Sequence, residues 1–77
     1  MDIKIRIGQR IKTIRETKNM AQKDLAYAAD LDRTYIASVE CGNRNISIVN
    51  IEKIASALGV ILKELFEDDN FSLIRLD

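Results

Sequence analysis

The chain has 77 residues with 12 Lys and Arg against 12 Asp and Glu, so its formal net charge is zero, and 47% of its residues are hydrophobic. A chain this short forms one domain at most and buries little of its surface, so a partner subunit would stabilise it. It has no His and a single Cys, which excludes His-dependent catalysis, His-bearing zinc sites and an internal disulfide. The acidic pair Asp68 and Asp69 has no base or metal partner in the sequence, so we expect neither an enzyme nor a bound metal or cofactor.

Charge is distributed unevenly along the chain. Residues 1–45 carry nine basic against six acidic side chains, a net +3, whereas residues 46–77 carry three against six, a net −3. This asymmetry permits a first half that faces nucleic acid, although such an imbalance also arises by chance. The longest hydrophobic run, residues 25–29, is too short to span a membrane, and the N-terminus lacks the apolar segment of a secretory signal. We therefore expect a cytoplasmic protein without membrane contact.

The pattern of the first residues predicts a helix. Proline is absent and glycine occurs at only three positions, which favours helices joined by short turns. Isoleucines recur at helical spacing over residues 7–14 and predict a first helix that ends near Lys18 and Asn19. Its start is ambiguous because isoleucines alternate over residues 3–7 as in a strand. A helix is favoured because the pattern after residue 7 is clearer.

Two short helices are predicted next, over residues 22–29 and 33–41, with only three residues between them. Asp32 is expected to cap the second of them at its N-terminus, and Gly42 ends it. Such a short connection makes the helices cross steeply, and the small Ala26 lets their backbones approach. Residues of about 22–41 therefore predict a helix-turn-helix.

The second half of the chain predicts two further helices. Ser47 is expected to cap a fourth helix that Gly59 closes, and apolar residues at 62, 65 and 66 indicate a fifth. Residues 70–77 are a tail that the pattern does not assign. The predicted fold class is all-α, a single five-helix domain over residues 1–77.

Three short segments resemble the phage-repressor-like helix-turn-helix family, and most closely the controller proteins of restriction-modification systems. The resemblance covers about residues 5–66, and its segments are Gln22–Ala26, Leu31–Ile36, and Glu40 with Gly42 and Arg44. It implies a transcriptional regulator that binds a palindromic operator in double-stranded DNA as a homodimer and both activates and represses its own operon. RNA polymerase would be a further partner.

The third helix has a polar face, and the resemblance makes it the recognition helix of the major groove. Arg33 at its start can donate two parallel hydrogen bonds to guanine, which is the commonest specific contact to DNA. The implied base contacts are Arg33, Thr34, Tyr35 and Ser38. The implied phosphate contacts are Gln22, Lys23, Arg44 and Asn45. The structural alternatives are a solvated Arg33, a Tyr35 that covers the core, and a polar turn at residues 44–45.

The resemblance also assigns structural roles. It places Arg15 late in the first helix against Glu40 late in the third, which we interpret as a structural ion pair. Arg10 and Lys12 are expected to be solvated or to make weak phosphate contacts. Ala21 departs from the family pattern because it removes the usual side-chain cap of the second helix. Asp30 departs from it because the turn position is usually Gly or Asn.

A homodimer is expected because one short recognition helix reads only a few base pairs. Residues 47–77, which comprise the last two helices and the tail, are assigned to dimerisation. The predicted interface residues are Ile48, Val49, Ile61, Leu65 and Phe66. Two other functions fit the pattern: a prophage or antitoxin-type repressor of the same fold, and a helical module that binds an acidic protein through its basic half.

Overall fold

The computed structural model describes residues 2–67 and places five α-helices there, with no strand among them. They are α1 (Ile3–Thr17), α2 (Gln22–Ala29), α3 (Arg33–Glu40), α4 (Ile48–Leu58) and α5 (Leu62–Leu65). The predicted all-α class and the five helices are confirmed. The tail at residues 70–77 and the pair Asp68 and Asp69 lie outside the described residues. None of the described helices is long and apolar enough to cross a membrane.

Helix α1 starts four residues earlier than the clear part of its pattern. The carboxylate of Asp2 accepts a hydrogen bond from the backbone N–H of Lys4 at 2.7 Å, which satisfies one of the donors that a helix leaves open at its start. Residues 3–7 are therefore helical, and the strand alternative does not form. Asn19 follows the helix in the left-handed region at φ 57°, as its sequence position predicts.

The turn between α2 and α3 has the geometry that the three-residue spacing predicts. Asp30 adopts a left-handed φ of 56°, and the N–H of Leu31 donates to the carbonyl of Ala26 at 2.9 Å. Ala26 is buried at the crossing of the two helices. Asp32 occupies the N-cap position of α3, but its side chain makes no capping hydrogen bond, so that detail of the prediction is wrong.

Helix α2 recovers part of the cap that Ala21 cannot provide. The carboxylate of Asp24 reaches back to accept a hydrogen bond from the backbone N–H of Ala21 at 2.9 Å. In α4 the prediction is correct at both ends. The hydroxyl of Ser47 accepts from the N–H of Asn50 at 3.1 Å, and Gly59 closes the helix at φ 74°.

One core joins all five helices, and its least exposed large side chains are Ile11, Leu25, Ile36, Val39, Ile54, Leu58 and Leu65. Leu65 is 0% exposed, which corrects its assignment to the dimer interface, because a side chain packed in the core of its own chain cannot meet a partner. In a helix of one turn, spacing alone does not define which face is inward, and packing against α4 decides it.

Gly8 allows α1 to lie directly on the end of α3. A Cβ atom at this position would be 2.3 Å from the carbonyl oxygen of Val39 and 3.0 Å from that of Glu40, so no other residue fits without a backbone shift. Helix α1 is thus one of the elements that fix the position of α3.

Candidate nucleic-acid interface

The start of α3 is exposed, while its other face is buried. Arg33 and Thr34 lie in solvent, whereas Ile36 and Val39 are 0% and 1% exposed. Among the described residues, neither Arg33 nor Thr34 has a side-chain hydrogen bond or ion pair, so their donors are available to a ligand. A cation and a hydroxyl at the protruding end of a short helix match the chemistry that reads base edges in a major groove.

Tyr35 and Arg44 form a second feature beside this end. Tyr35 is half-buried against the core, and its hydroxyl accepts a hydrogen bond from the Asn50 amide at 3.1 Å. The Arg44 guanidinium carbon is 5.3 Å from the centre of the Tyr35 ring, which is within the range of a cation–π interaction. The packing of Tyr35 on the core is therefore observed, and its contact with a base stays a prediction.

Ser38 connects Arg44 to α3. Its hydroxyl donates to the carbonyl of Tyr35 at 2.8 Å and accepts from Nε of Arg44 at 2.9 Å. A hydroxyl has one proton and two lone pairs, so only one lone pair is left for a base. Ser38 therefore holds Arg44 in place. For the predicted contact with a base, the Ser38 hydroxyl has one lone pair left and no proton to donate.

The buried ends of α1 and α3 meet in an ion pair. Arg15 and Glu40 are 7% and 8% exposed, and Nε and Nη2 of Arg15 donate to the two carboxylate oxygens at 2.6 and 3.0 Å. Nη1 of Arg15 also donates to the carbonyl of Met20 at 2.6 Å. The pKa of Arg15 is raised, chiefly by its hydrogen bond to Glu40, and burial opposes this only in part. The guanidinium is charged at any physiological pH.

The same carboxylate also binds Gln22, the first residue of α2. Nε2 of Gln22 donates to Oε1 of Glu40 at 3.0 Å. An amide nitrogen has two protons, so one N–H remains for the phosphate contact that the sequence predicts. The neighbouring Lys23 is exposed, and the amino end of α2 adds partial positive charge beside it. Asn45 is also exposed, in the loop that carries Arg44.

Large apolar side chains are also exposed at the start of α4 and beside α5. Four of the five predicted interface residues are exposed, by 71%, 59%, 63% and 36%; we call Ile48, Val49, Ile61 and Phe66 the pairing surface. Phe66 also lines an open cavity of about 260 Å³ together with Ile46, Ile51 and Ile3. Large contiguous apolar patches on a protein surface commonly mark interfaces, so the residues of the pairing surface are the candidates for contact with a second copy.

Sequence reasoning missed three residues of this arrangement: Asn50, Gly8 and Ile3. The signal for Gly8 was present, because a glycine inside a helical pattern costs about 1 kcal/mol and implies a close backbone approach. Asn50 gave no local signal, since its partner Tyr35 is fifteen residues away.

Together these features define a helix-turn-helix DNA-binding domain. A family model for the helix-turn-helix matches residues 11–65. The control protein C.MunI of a Mycoplasma species is 52% identical over 68 residues, which are 87% of this chain and 92% of that protein. The chain belongs to the helix-turn-helix family and, within it, to the restriction-modification controller proteins.

Solved structures agree with this placement. The controller protein C.AhdI from Aeromonas hydrophila has a TM-score of 0.79 at 44% identity, covering 82% of this chain and 96% of that chain. The controller protein C.Esp1396I, solved as a tetramer with its natural 35-base-pair operator, has a TM-score of 0.83 at 40% identity. That match covers 87% of this chain and 88% of the other.

Proposed function

We propose that this protein is a homodimeric transcriptional regulator of a restriction-modification system that binds a palindromic operator through α3. The observation that carries the proposal is the pair Arg33 and Thr34, which is exposed and has no side-chain partner among residues 2–67, at the start of a helix whose opposite face, Ile36 and Val39, is buried in the core. The operator complex of C.Esp1396I supports it, because that relative shares 40% of its sequence with this chain. The prophage-repressor alternative is less well supported, since the match to C.MunI spans nearly the whole of that protein.

In this proposal, Arg33 recognises the base sequence, and the residues around it position α3 on the DNA. Arg33 and Thr34 meet base edges, and Tyr35 with Arg44 lies beside them at the rim of the groove. Lys23, Asn45 and the remaining N–H of Gln22 meet phosphates, which sets the register of the helix without reading sequence. Release of counterions from these phosphates makes the affinity fall steeply as salt rises.

The base contact of Arg33 can be separated from its charge. Arg33→Lys keeps the cation but loses the planar pair of donors, so we expect the operator affinity to fall by about 1–3 kcal/mol while binding to random duplex stays close to wild type. Lys53→Ala, which removes an exposed cation on α4, is the control and should leave the difference between operator and random DNA unchanged. Titration at two salt concentrations measures both quantities. An equal loss on both DNAs for Arg33→Lys would show that Arg33 does not read a base.

We infer that two copies associate through the pairing surface, which places two recognition helices on half-sites about 34 Å apart. Sedimentation of Ile48→Asp tests this, because a buried carboxylate without a partner should convert a dimer into a monomer. The control is Tyr27→Asp, which changes an aromatic side chain on α2 that is 91% exposed and lies outside the pairing surface. Persistent dimers of Ile48→Asp would contradict this interface.

The proposed circuit is the one that the family resemblance implies, with activation at low occupancy, repression at high occupancy, and RNA polymerase as the partner during activation. Transcription in vitro from the operon's promoter, at rising concentrations of the protein, tests it. We expect the transcript level to rise and then fall. A decrease at every concentration would leave repression alone.

A further inference from the structure

Arg10 binds the backbone of α5, whereas the sequence analysis expected its side chain to be solvated or to make a weak phosphate contact. Its Nε donates to the carbonyl of Leu65 at 3.0 Å, and its Nη2 donates to the carbonyls of Glu64 and Glu67 at 2.9 and 3.2 Å. The last carbonyls of a helix have no partner within the helix and carry partial negative charge, so a guanidinium satisfies both needs. Arg10 thus caps α5 from α1.

Helix α5 needs such an attachment. It is a single turn, Leu62–Leu65, and a turn of this length is not stable by itself in water. Leu65 is its only buried residue, so beyond its packing on α4 the turn has few side-chain contacts of its own that fix its orientation against α1. The planar guanidinium adds a second attachment, with three hydrogen bonds in a fixed geometry. The orientation of α5 against α1 is therefore set by both contacts together.

Helix α1 is also the support of the recognition helix. Gly8 lets it lie on the end of α3, and Arg15 binds Glu40 there. Two residues of the pairing surface, Ile61 and Phe66, flank α5. Helix α1 consequently connects the part of the pairing surface beside α5 with the helix that meets DNA, and Arg10 is one of the contacts through which that connection passes. The other part, Ile48 and Val49, lies on α4.

We propose that Arg10 is a positioning residue for the DNA-bound dimer: by holding α5 on α1, it fixes the angle between the pairing surface and α3, and so the half-site spacing at which both recognition helices engage. This inference rests on the proposed dimeric function. A change of one base pair in spacing moves a half-site by about 3.4 Å and rotates it by about 34°, so a rigid dimer tolerates a single spacing. A dimer whose α5 can rotate tolerates several.

The test measures affinity for palindromes whose half-sites are identical and whose spacing changes in steps of one base pair. Arg10→Gln removes the guanidinium, and Lys12→Gln removes an exposed cation from the same helix with the same change of charge. At the best spacing, we expect Arg10→Gln to bind about tenfold more weakly than the wild type. When the spacing changes by one base pair, the affinity of Arg10→Gln should fall by less than about threefold from its value at the best spacing. The affinity of Arg10→Gln for a single half-site should equal that of Lys12→Gln. Lys12→Gln should keep the sharp dependence on spacing of the wild type.

Two results would overturn the proposal. One is that Arg10→Gln binds the best-spaced palindrome with wild-type affinity and loses affinity at other spacings as sharply as the wild type does. The other is an equal loss on operator and single half-site, which would make Arg10 a DNA contact or a general support of the fold. Should Arg10→Gln fail to fold, Arg10→Lys enters the same measurements, since it keeps the charge and loses the planar donors. Sedimentation of the wild type tests the proposed dimer separately, because a monomeric wild type refutes that function whatever Arg10 does.

Discussion

Removal of the Glu40 carboxylate should cost much of the stability of this protein. In Glu40→Ala the guanidinium of Arg15 stays buried, at 7% exposure, without the oxygens that accept its Nε and Nη2 protons. Gln22 also loses its acceptor. An uncompensated buried charge costs about 3–5 kcal/mol, and the whole folding free energy of a 77-residue chain is roughly 4–12 kcal/mol. We expect Glu40→Ala to lose about 3–5 kcal/mol, a large share of that stability, and to unfold at a correspondingly lower urea concentration.

Replacement of both partners should cost far less than replacement of one. Arg15→Met combined with Glu40→Met exchanges two desolvated charges for apolar side chains, and such exchanges of buried ion pairs are often neutral or stabilising. The double variant should therefore lie within about 1 kcal/mol of the wild type, apart from the hydrogen bonds lost at Met20 and Gln22. The two single changes are strongly non-additive in this account.

Urea unfolding followed by circular dichroism measures these differences. Every variant must be compared at one protein concentration, because association with a partner adds apparent stability. The reasoning is refuted if Glu40→Ala loses less than about 1 kcal/mol, or if the double variant is less stable than either single variant.

Three further predictions concern the backbone and pH. Gly8→Ala should destabilise the protein by about 1–3 kcal/mol, although the same change in an exposed helix stabilises it, because the new Cβ meets the carbonyl of Val39; a higher melting temperature would contradict this contact. Asp30→Gly should raise stability by about 0.5 kcal/mol by relieving the left-handed φ of 56°, and Asp30→Ala should lower it, both read from thermal unfolding. Because the pKa of Arg15 is raised, its stabilisation is complete below the pKa of an unfolded arginine and is lost only above it. Wild type and the double variant Arg15→Met with Glu40→Met should therefore show parallel stability curves between about pH 6 and pH 10, and a loss of the wild type's relative stability within this range would contradict a raised pKa.

The parts of the fold that sequence predicts are those that local chemistry decides. The spacing of isoleucines predicted α1, Ser47 and Gly59 predicted both ends of α4, and the three residues after Ala29 predicted the short turn between α2 and α3. Each of these depends on residues within one or two helical turns of one another. The exposed side of α3 follows for the same reason, since its buried face is defined by Ile36 and Val39.

The rest depends on partners that are distant in sequence. Arg10 is separated from its carbonyls by 54 to 57 positions, and Gln22 from Glu40 by 18, so no spacing rule pairs them. The family resemblance supplied Arg15 with Glu40, but it gave no indication that Gln22 shares that carboxylate. Leu65 was assigned to the wrong face because a one-turn helix is oriented by its neighbours.

These distant contacts decide whether the exposed residues of α3 can act. The helix has eight residues, which is too short to be stable alone, so its direction is imposed from outside. Glu40 ties its end to α1 and α2, and Tyr35 ties its beginning to α4 through Asn50. Only with both ends held does Arg33 protrude at a defined angle, and contact with a base edge requires that angle more than it requires the side chain's own reach. Loss of operator binding in Asn50→Ala, with an unchanged urea midpoint, would therefore report a misdirected helix. Arg33→Lys is the comparison for a lost base contact, because it leaves the direction of the helix unchanged.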